Sequence, residues 1–186
     1  MKIREGQGEP IAAIVLAAGA ATRFGKPKQN LLLPTTLIRL NTVNLKEIVV
    51  VEGAHPISVS LPTRASLVKC PQWENGPGAS LTCGLKSLSQ DIEAAVVVLA
   101  DGPNLDPRAV ERLISAWREK TSTALAATYS NTRSHPVLLE RSVWNQIPLT
   151  GGRDLPTKLI DCSDLRHPGD IDTELDLTTL KFAPNP

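Results

Sequence analysis

The chain has 186 residues, room for one compact domain (1–186) with a sizeable core but little for a second. Its 20 Lys and Arg against 19 Asp and Glu leave a formal charge of +1, which argues against a nucleic-acid partner or an acidic tail. No run approaches the roughly 20 apolar residues of a membrane helix, and the N-terminus MKIREGQGEP lacks the apolar centre of a secretory signal, so no membrane partner and a cytoplasmic address are expected.

The first element is Ile11 to Ala17 (IAAIVLA), a continuous apolar run bounded by Pro10 and Gly19, which predicts a strand buried on both faces. Glu47 to Val51 and Ala94 to Ala100 read the same way, with a shorter candidate at Ser66 to Lys69. Helical spacing appears in Ser80 to Leu88, through Leu81, Leu85 and Leu88, and again in Pro107 to Lys120, through Val110, Leu113, Ile114 and Trp117. Asp106 caps the start of the second, with Pro107 in its first turn. Strands are expected at Leu125 to Tyr129 and Val137 to Leu139, and helices around Leu155 to Ile160 and Glu174 to Leu180. Between Leu33-Pro34 and the strand at Glu47 there is room only for a short crossover helix. Alternating strands and helices predict an α/β/α sandwich on a mostly parallel sheet. With 3% aromatic residues, the core must be built from Val, Ile, Leu and Ala. Three cysteines, Cys70, Cys83 and Cys162, form no CxxC pair and are odd in number, so they read as small core residues rather than a disulfide framework or zinc site.

Ligands of open parallel sheets sit at the carboxyl ends of strands. Three segments should share that edge: Ala18 to Gln29, Asp101-Gly102-Pro103 and Gly53 to Pro56. The first, beginning Leu16-Ala17-Ala18-Gly19 and continuing through Arg23, Gly25, Lys26 and Lys28, lets backbone amides approach an anion while the cations neutralise it. It is not a P-loop, because five residues separate Gly19 from Gly25 and Pro27 follows Lys26, and GxGxxG is absent. Read from composition alone, it is equally a glycine-rich turn with solvated cations. Asp101, directly after VVVLA, is placed either to hold Mg2+ against phosphate oxygens or to form a turn.

In order along the chain stand LAAGxxxRFGxxKQ, Trp73-Glu74-Asn75-Gly76-Pro77-Gly78-Ala79-Ser80-Leu81, VVVLADGP, His135-Pro136-Val137-Leu138-Leu139 and Asp170-Ile171-Asp172-Thr173. This set resembles the MobA-like nucleotidyltransferase superfamily, and most of all its molybdenum cofactor cytidylyltransferase branch. The resemblance implies a Rossmann-like domain that transfers a nucleoside monophosphate from an NTP to a phosphorylated acceptor and releases pyrophosphate. By that resemblance Leu16, Ala17, Ala18, Gly19, Arg23, Gly25 and Lys28 wrap the triphosphate. Gly78, Ala79 and Ser80 meet base and ribose, and Arg23, Lys28 and Asp101 are the catalytic set. Asp101 would hold Mg2+, and Asp172 is either a second ligand or the cap of a last helix. His135 borders the acceptor side, although two other His-Pro pairs, at His55 and His167, show that the dipeptide carries little information by itself. Ala18, where the guanylyl branch carries glycine, favours CTP. The implied partners are CTP, a molybdopterin-type acceptor and a recipient molybdoenzyme.

Two departures concern the acceptor side. Gly102 replaces the amide residue of the family's DQP motif, and Gly151-Gly152-Arg153-Asp154 stands where a GDxGAR loop is expected. A sugar phosphate or other phosphorylated acceptor, and a non-catalytic nucleotide or cofactor carrier, are therefore the alternatives.

Overall fold

A computed structural model of the chain describes residues 10–20 and 28–169. Seven strands, β1 (Ile11–Ala17), β2 (Glu47–Glu52), β3 (Ala65–Lys69), β4 (Ala94–Leu99), β5 (Ala124–Tyr129), β6 (Thr132–Glu140) and β7 (Lys158–Asp161), form one sheet. Their order is β3-β2-β1-β4-β6-β5-β7. The pairings β3 to β2, β2 to β1, β1 to β4 and β5 to β7 are parallel, while β6 runs antiparallel to both of its neighbours. The sheet is the mostly parallel one expected.

Alternation within the apolar runs explains why they carry no polar face. Ile11, Ala13, Val15 and Ala17 of β1 and Ala94, Val96 and Val98 of β4 enter one core layer. Ala12 and Ile14, with Ala95 and Val97, enter the other. The first layer is covered by α1 (Gln29–Leu40) and α3 (Pro107–Arg118), the second by α2 (Pro77–Ser87) and a 3-10 turn at Arg141–Gln146 that buries Trp144. Both layers consist almost wholly of Val, Ile, Leu and Ala. Asp106 caps α3 as its position predicts, accepting a hydrogen bond from the Arg108 amide at 3.0 Å.

Three expectations are corrected. The first crossover carries a full helix, α1, which begins at Gln29 and runs through Pro34. A proline inside a helix costs about 3 kcal/mol. Leu33, Leu37 and Leu40, each at most 2% exposed, outweigh that cost because each burial contributes about 1.5–3 kcal/mol. The helix expected near Leu155 to Ile160 is instead the edge strand β7, whose backbone pairs in parallel with the open edge of β5, Leu125 opposite Lys158. Cys70 and Cys83 are joined in a disulfide with their Cα atoms 5.8 Å apart, and only Cys162 is a free, buried thiol. The bond forms because the end of β3 and the middle of α2 lie on the same side of the sheet.

Candidate functional site

The parallel strands β1, β2 and β4 end at one edge and bring three sequence segments together. After β1, Ala18 and Gly19 meet the turn after β2: the Ala54 amide donates to the Ala18 carbonyl at 3.1 Å, and His55 Nε2 lies 3.0 Å from the Ala20 carbonyl. Position 53 must be glycine, since a Cβ there would sit 2.6 Å from the Ala18 oxygen and 2.8 Å from Trp73 Cβ. The turn is held from below by the buried Glu52 carboxylate, which accepts from the Ile57 amide at 2.6 Å. Among the described residues, a Cβ on Gly19 would meet nothing within 4 Å.

Lys28 stands at the start of α1, and its Nζ reaches Asp101 Oδ2 at 3.0 Å in the turn after β4. The lysine side chain is 7% exposed and the carboxylate 25%, so the acid presents an open side to solvent. Gln29 ties the same helix start to the glycine segment, Nε2 donating to the Gly19 carbonyl at 2.6 Å. Thus two segments far apart in sequence are locked together around one ion pair.

The third component is the start of α2. Its first turn carries Pro77 and no side-chain cap, with Gly78 and Ser80 buried. The Gly78 amide donates to the Leu149 carbonyl at 2.9 Å, and a Cβ on Gly78 would lie 1.9 Å from the Pro148 oxygen. This close approach admits no side chain.

A cleft of about 870 Å3 opens beside these elements. Its floor is apolar, from Leu16, Leu81, Val97, Val137 and Leu139, and it reaches Leu99 and Gly102 on either side of the Asp101 turn. The rim is polar, with two arginines, Arg133 and Arg153, beside His135, His167, Thr150 and Asp154. Because β6 runs against β4, pairing Val97 with Val137, the residues that open β6 lie toward the carboxyl end of β4. That reversal sends Arg133 and His135 to the edge that carries Gly19 and Asp101. Burial pushes the His135 imidazole down to about 4; the Asp101 carboxylate opposes this, and Arg133 and Arg153 reinforce it. His135 is therefore neutral at pH 7.

Of the residues singled out from sequence, Leu16, Ala17, Ala18, Gly19, Lys28, Asp101, Gly78, Ala79, Ser80 and His135 are distributed over this edge and the adjoining cleft. Arg23, Gly25 and Asp172 lie outside the described residues. The last described stretch, His167 to Gly169, packs on the Asp101 turn, Pro168 accepting from the Asn104 amide at 2.9 Å. Sequence reading missed Gln29, Arg133 and Arg153.

Among the described residues there is no group of three or more His, Cys, Asp or Glu able to cage a metal. A partly open Asp101 instead suits a hard divalent cation that takes one or two carboxylates and fills its shell from substrate phosphate and water. No described helix is long and apolar enough to cross a membrane.

Residues 13–160 match the sequence profile described as the MobA-like NTP transferase domain. No curated protein matches the chain in sequence. Among solved structures, it is similar to a homologue of Mycobacterium tuberculosis Rv0371c from Mycobacterium sp. strain JC1, with 24% identity, 92% of this chain and 94% of that one covered, and a TM-score of 0.75. Rv0371c of M. tuberculosis H37Rv, solved as a complex with manganese, shares 19% identity over 81% of this chain and 87% of that one, with a TM-score of 0.61. A CMP:2-keto-3-deoxy-manno-octonic acid synthetase complexed with CTP shares 10% identity over 92% of this chain and 96% of that one, with a TM-score of 0.67. At these identities the likeness is one of fold, and it bears out the Rossmann-like α/β architecture.

Proposed function

The chain belongs to the MobA-like NTP transferase family and is a nucleotidyltransferase; from that premise we propose that it moves CMP from CTP to the phosphate of molybdenum-bound molybdopterin, releasing pyrophosphate. The observation that carries this reading is the Lys28 to Asp101 contact at 3.0 Å, beside Gly19 and against a cleft of acceptor size. CTP is favoured over GTP by Ala18 in the first loop, and a fold neighbour solved with CTP supports the choice.

In this reading an oxygen of the acceptor phosphate attacks the α-phosphorus of CTP, forming one P–O bond as the α–β P–O bond breaks and pyrophosphate leaves. Charge grows on the oxygens around the α-phosphorus and on the leaving group. Lys28 and Arg23 neutralise it, and amides of the Leu16 to Gly25 segment hold the triphosphate. Gly78, Ala79 and Ser80, at the start of α2, take the ribose and base, with the Ser80 hydroxyl as a donor. Asp101, with Asp172 as second carboxylate, would hold a divalent cation, which we take to be Mg2+; the manganese complex of Rv0371c supports a divalent site. When bound, that ion would draw electron density from the phosphate oxygens.

The acceptor side is the cleft. Its apolar floor of Leu16, Leu81, Val97, Val137 and Leu139 suits a flat heterocycle, and the two arginines of the rim suit a phosphate tail. A sugar phosphate, being hydroxylated all round, would leave that floor poorly matched. Neutral His135 offers the acceptor a hydrogen bond without a second charge. The dinucleotide product would pass to a molybdoenzyme partner.

Pyrophosphate release by the purified chain, with Mg2+, each NTP in turn and molybdenum-bound molybdopterin, tests the proposal. Release with CTP that disappears in Asp101→Ala is the expected result. Release only with sugar phosphates would move the acceptor, and CTP binding without turnover would favour a carrier.

A further inference from the structure

We propose that Arg133 is a positioning residue for the acceptor: by holding the segment 148–157 against β6 it fixes the wall of the cleft, without a direct part in nucleotide binding. The inference rests on the reading of the cleft as the acceptor site. Its guanidinium donates to three oxygens of that one segment, from Nη1 to the Arg153 carbonyl at 2.6 Å, and from Nη2 to the Gly152 carbonyl at 2.9 Å and Thr157 Oγ1 at 3.1 Å. A planar fork that serves three acceptors specifies geometry far better than a point charge does.

The segment is seated at its other end on the nucleotide side. Leu149 accepts from the Gly78 amide, a Cβ on Gly151 (φ +93°) would lie 3.4 Å from Pro77 Cγ, and Thr150 Oγ1 donates to Asp154 Oδ2 at 2.6 Å. It therefore spans from the start of α2 to β6, with Thr150, Arg153 and Asp154 facing the cleft. Arg133 fastens the half that faces the acceptor, and Gly78 the half that faces the nucleotide.

The described partners of Arg133 are neutral oxygens, so its charge is not consumed by an ion pair. Burial and the neighbouring Arg153 both hold its pKa below the usual arginine value.

Two measurements on the full chain test the assignment, using Arg133→Gln and Arg133→Lys. First, hydrogen exchange of amides 149–155 in the unliganded protein should speed up at least tenfold in Arg133→Gln and less in Arg133→Lys, which can still reach one carbonyl. Second, calorimetry should give a CTP Kd within about twofold of wild type, while KM for molybdenum-bound molybdopterin rises at least tenfold in Arg133→Gln and is partly restored in Arg133→Lys. Unchanged exchange, or a CTP Kd that rises in step with the acceptor KM, overturns the proposal. If the wild-type chain releases no pyrophosphate with that acceptor, the acceptor reading has failed, and exchange together with CTP Kd decides whether Arg133 holds the segment.

Discussion

Lys28 and Asp101 meet at 3.0 Å across the gap between the start of α1 and the turn after β4. Each is placed by backbone that other contacts fix, Lys28 by the Gln29 hydrogen bond to Gly19 and Asp101 by the Ala100 amide bonded to the Leu16 carbonyl at 3.0 Å. Replacing either member by a neutral isostere, Lys28→Met or Asp101→Asn, should lower the rate of pyrophosphate release by about a hundredfold or more, the usual cost of losing one preorganised charge contact. Steady-state kinetics with CTP would show it, and circular dichroism would confirm that the fold survives.

His135 gives the fold a defined acid sensitivity. An imidazole held at about 4 in the folded chain, against 6.5 when free, takes up its proton more readily after unfolding. Its contribution to stability is complete above pH 6.5 and is lost as pH falls toward 4. Thermal melts between those limits should therefore show a shallower decline in His135→Gln than in wild type. In Asp101→Asn, which removes a carboxylate that favours the imidazolium, the imidazole should titrate at still lower pH by NMR.

The Cys70–Cys83 disulfide closes a ring, with a sequence separation of 13, around Trp73 and the first turn of α2. Reduction by a dithiol, or Cys83→Ser, should cost about 2–4 kcal/mol, seen as a fall in Tm of roughly 5–15 °C. CTP binding should weaken as well, because Gly78 to Ser80 lie inside the ring. Melting with and without reductant, followed by CTP titration, measures both.

Gly84 marks where α2 presses closest to the sheet. A Cβ there would lie 2.9 Å from both Ile14 Cγ2 and Val51 Cγ2, two side chains of a filled core. Gly84→Ala should destabilise the fold by about 1–3 kcal/mol through overpacking, despite alanine's better helix propensity. Urea denaturation gives the value directly.

The strands β1, β2 and β4 were legible because burial on both faces leaves an unbroken apolar run, and α3 because Asp106 and Pro107 announce it. The misses share a cause: each depends on a partner distant in sequence. Pro34 reads locally as a helix breaker, and only the core pocket that receives Leu33, Leu37 and Leu40 overrides it. Lys158 to Asp161 form a strand because the edge of β5 is open to them, and Cys70 finds Cys83 only once α2 has packed behind β3. On the site side, the glycine segment, Lys28 and Asp101 follow the strand ends, which sequence marks well. The cleft residue Arg133 was obscured because its role depends on the reversed direction of β6, a property of sheet topology that no local pattern carries.

That topology also governs when the site can exist during folding. β1 reaches its neighbour β4 only across the intervening β2 and β3, and the reversed strand β6 joins later still. During synthesis the Lys28 to Asp101 pair must wait for the chain to pass β4, and the wall of the cleft must wait for residue 157. Non-local pairing of this kind is slow, and it leaves apolar strands exposed meanwhile. The Lys28 to Asp101 contact is thus expected to form during synthesis before the wall of the cleft that Arg133 holds.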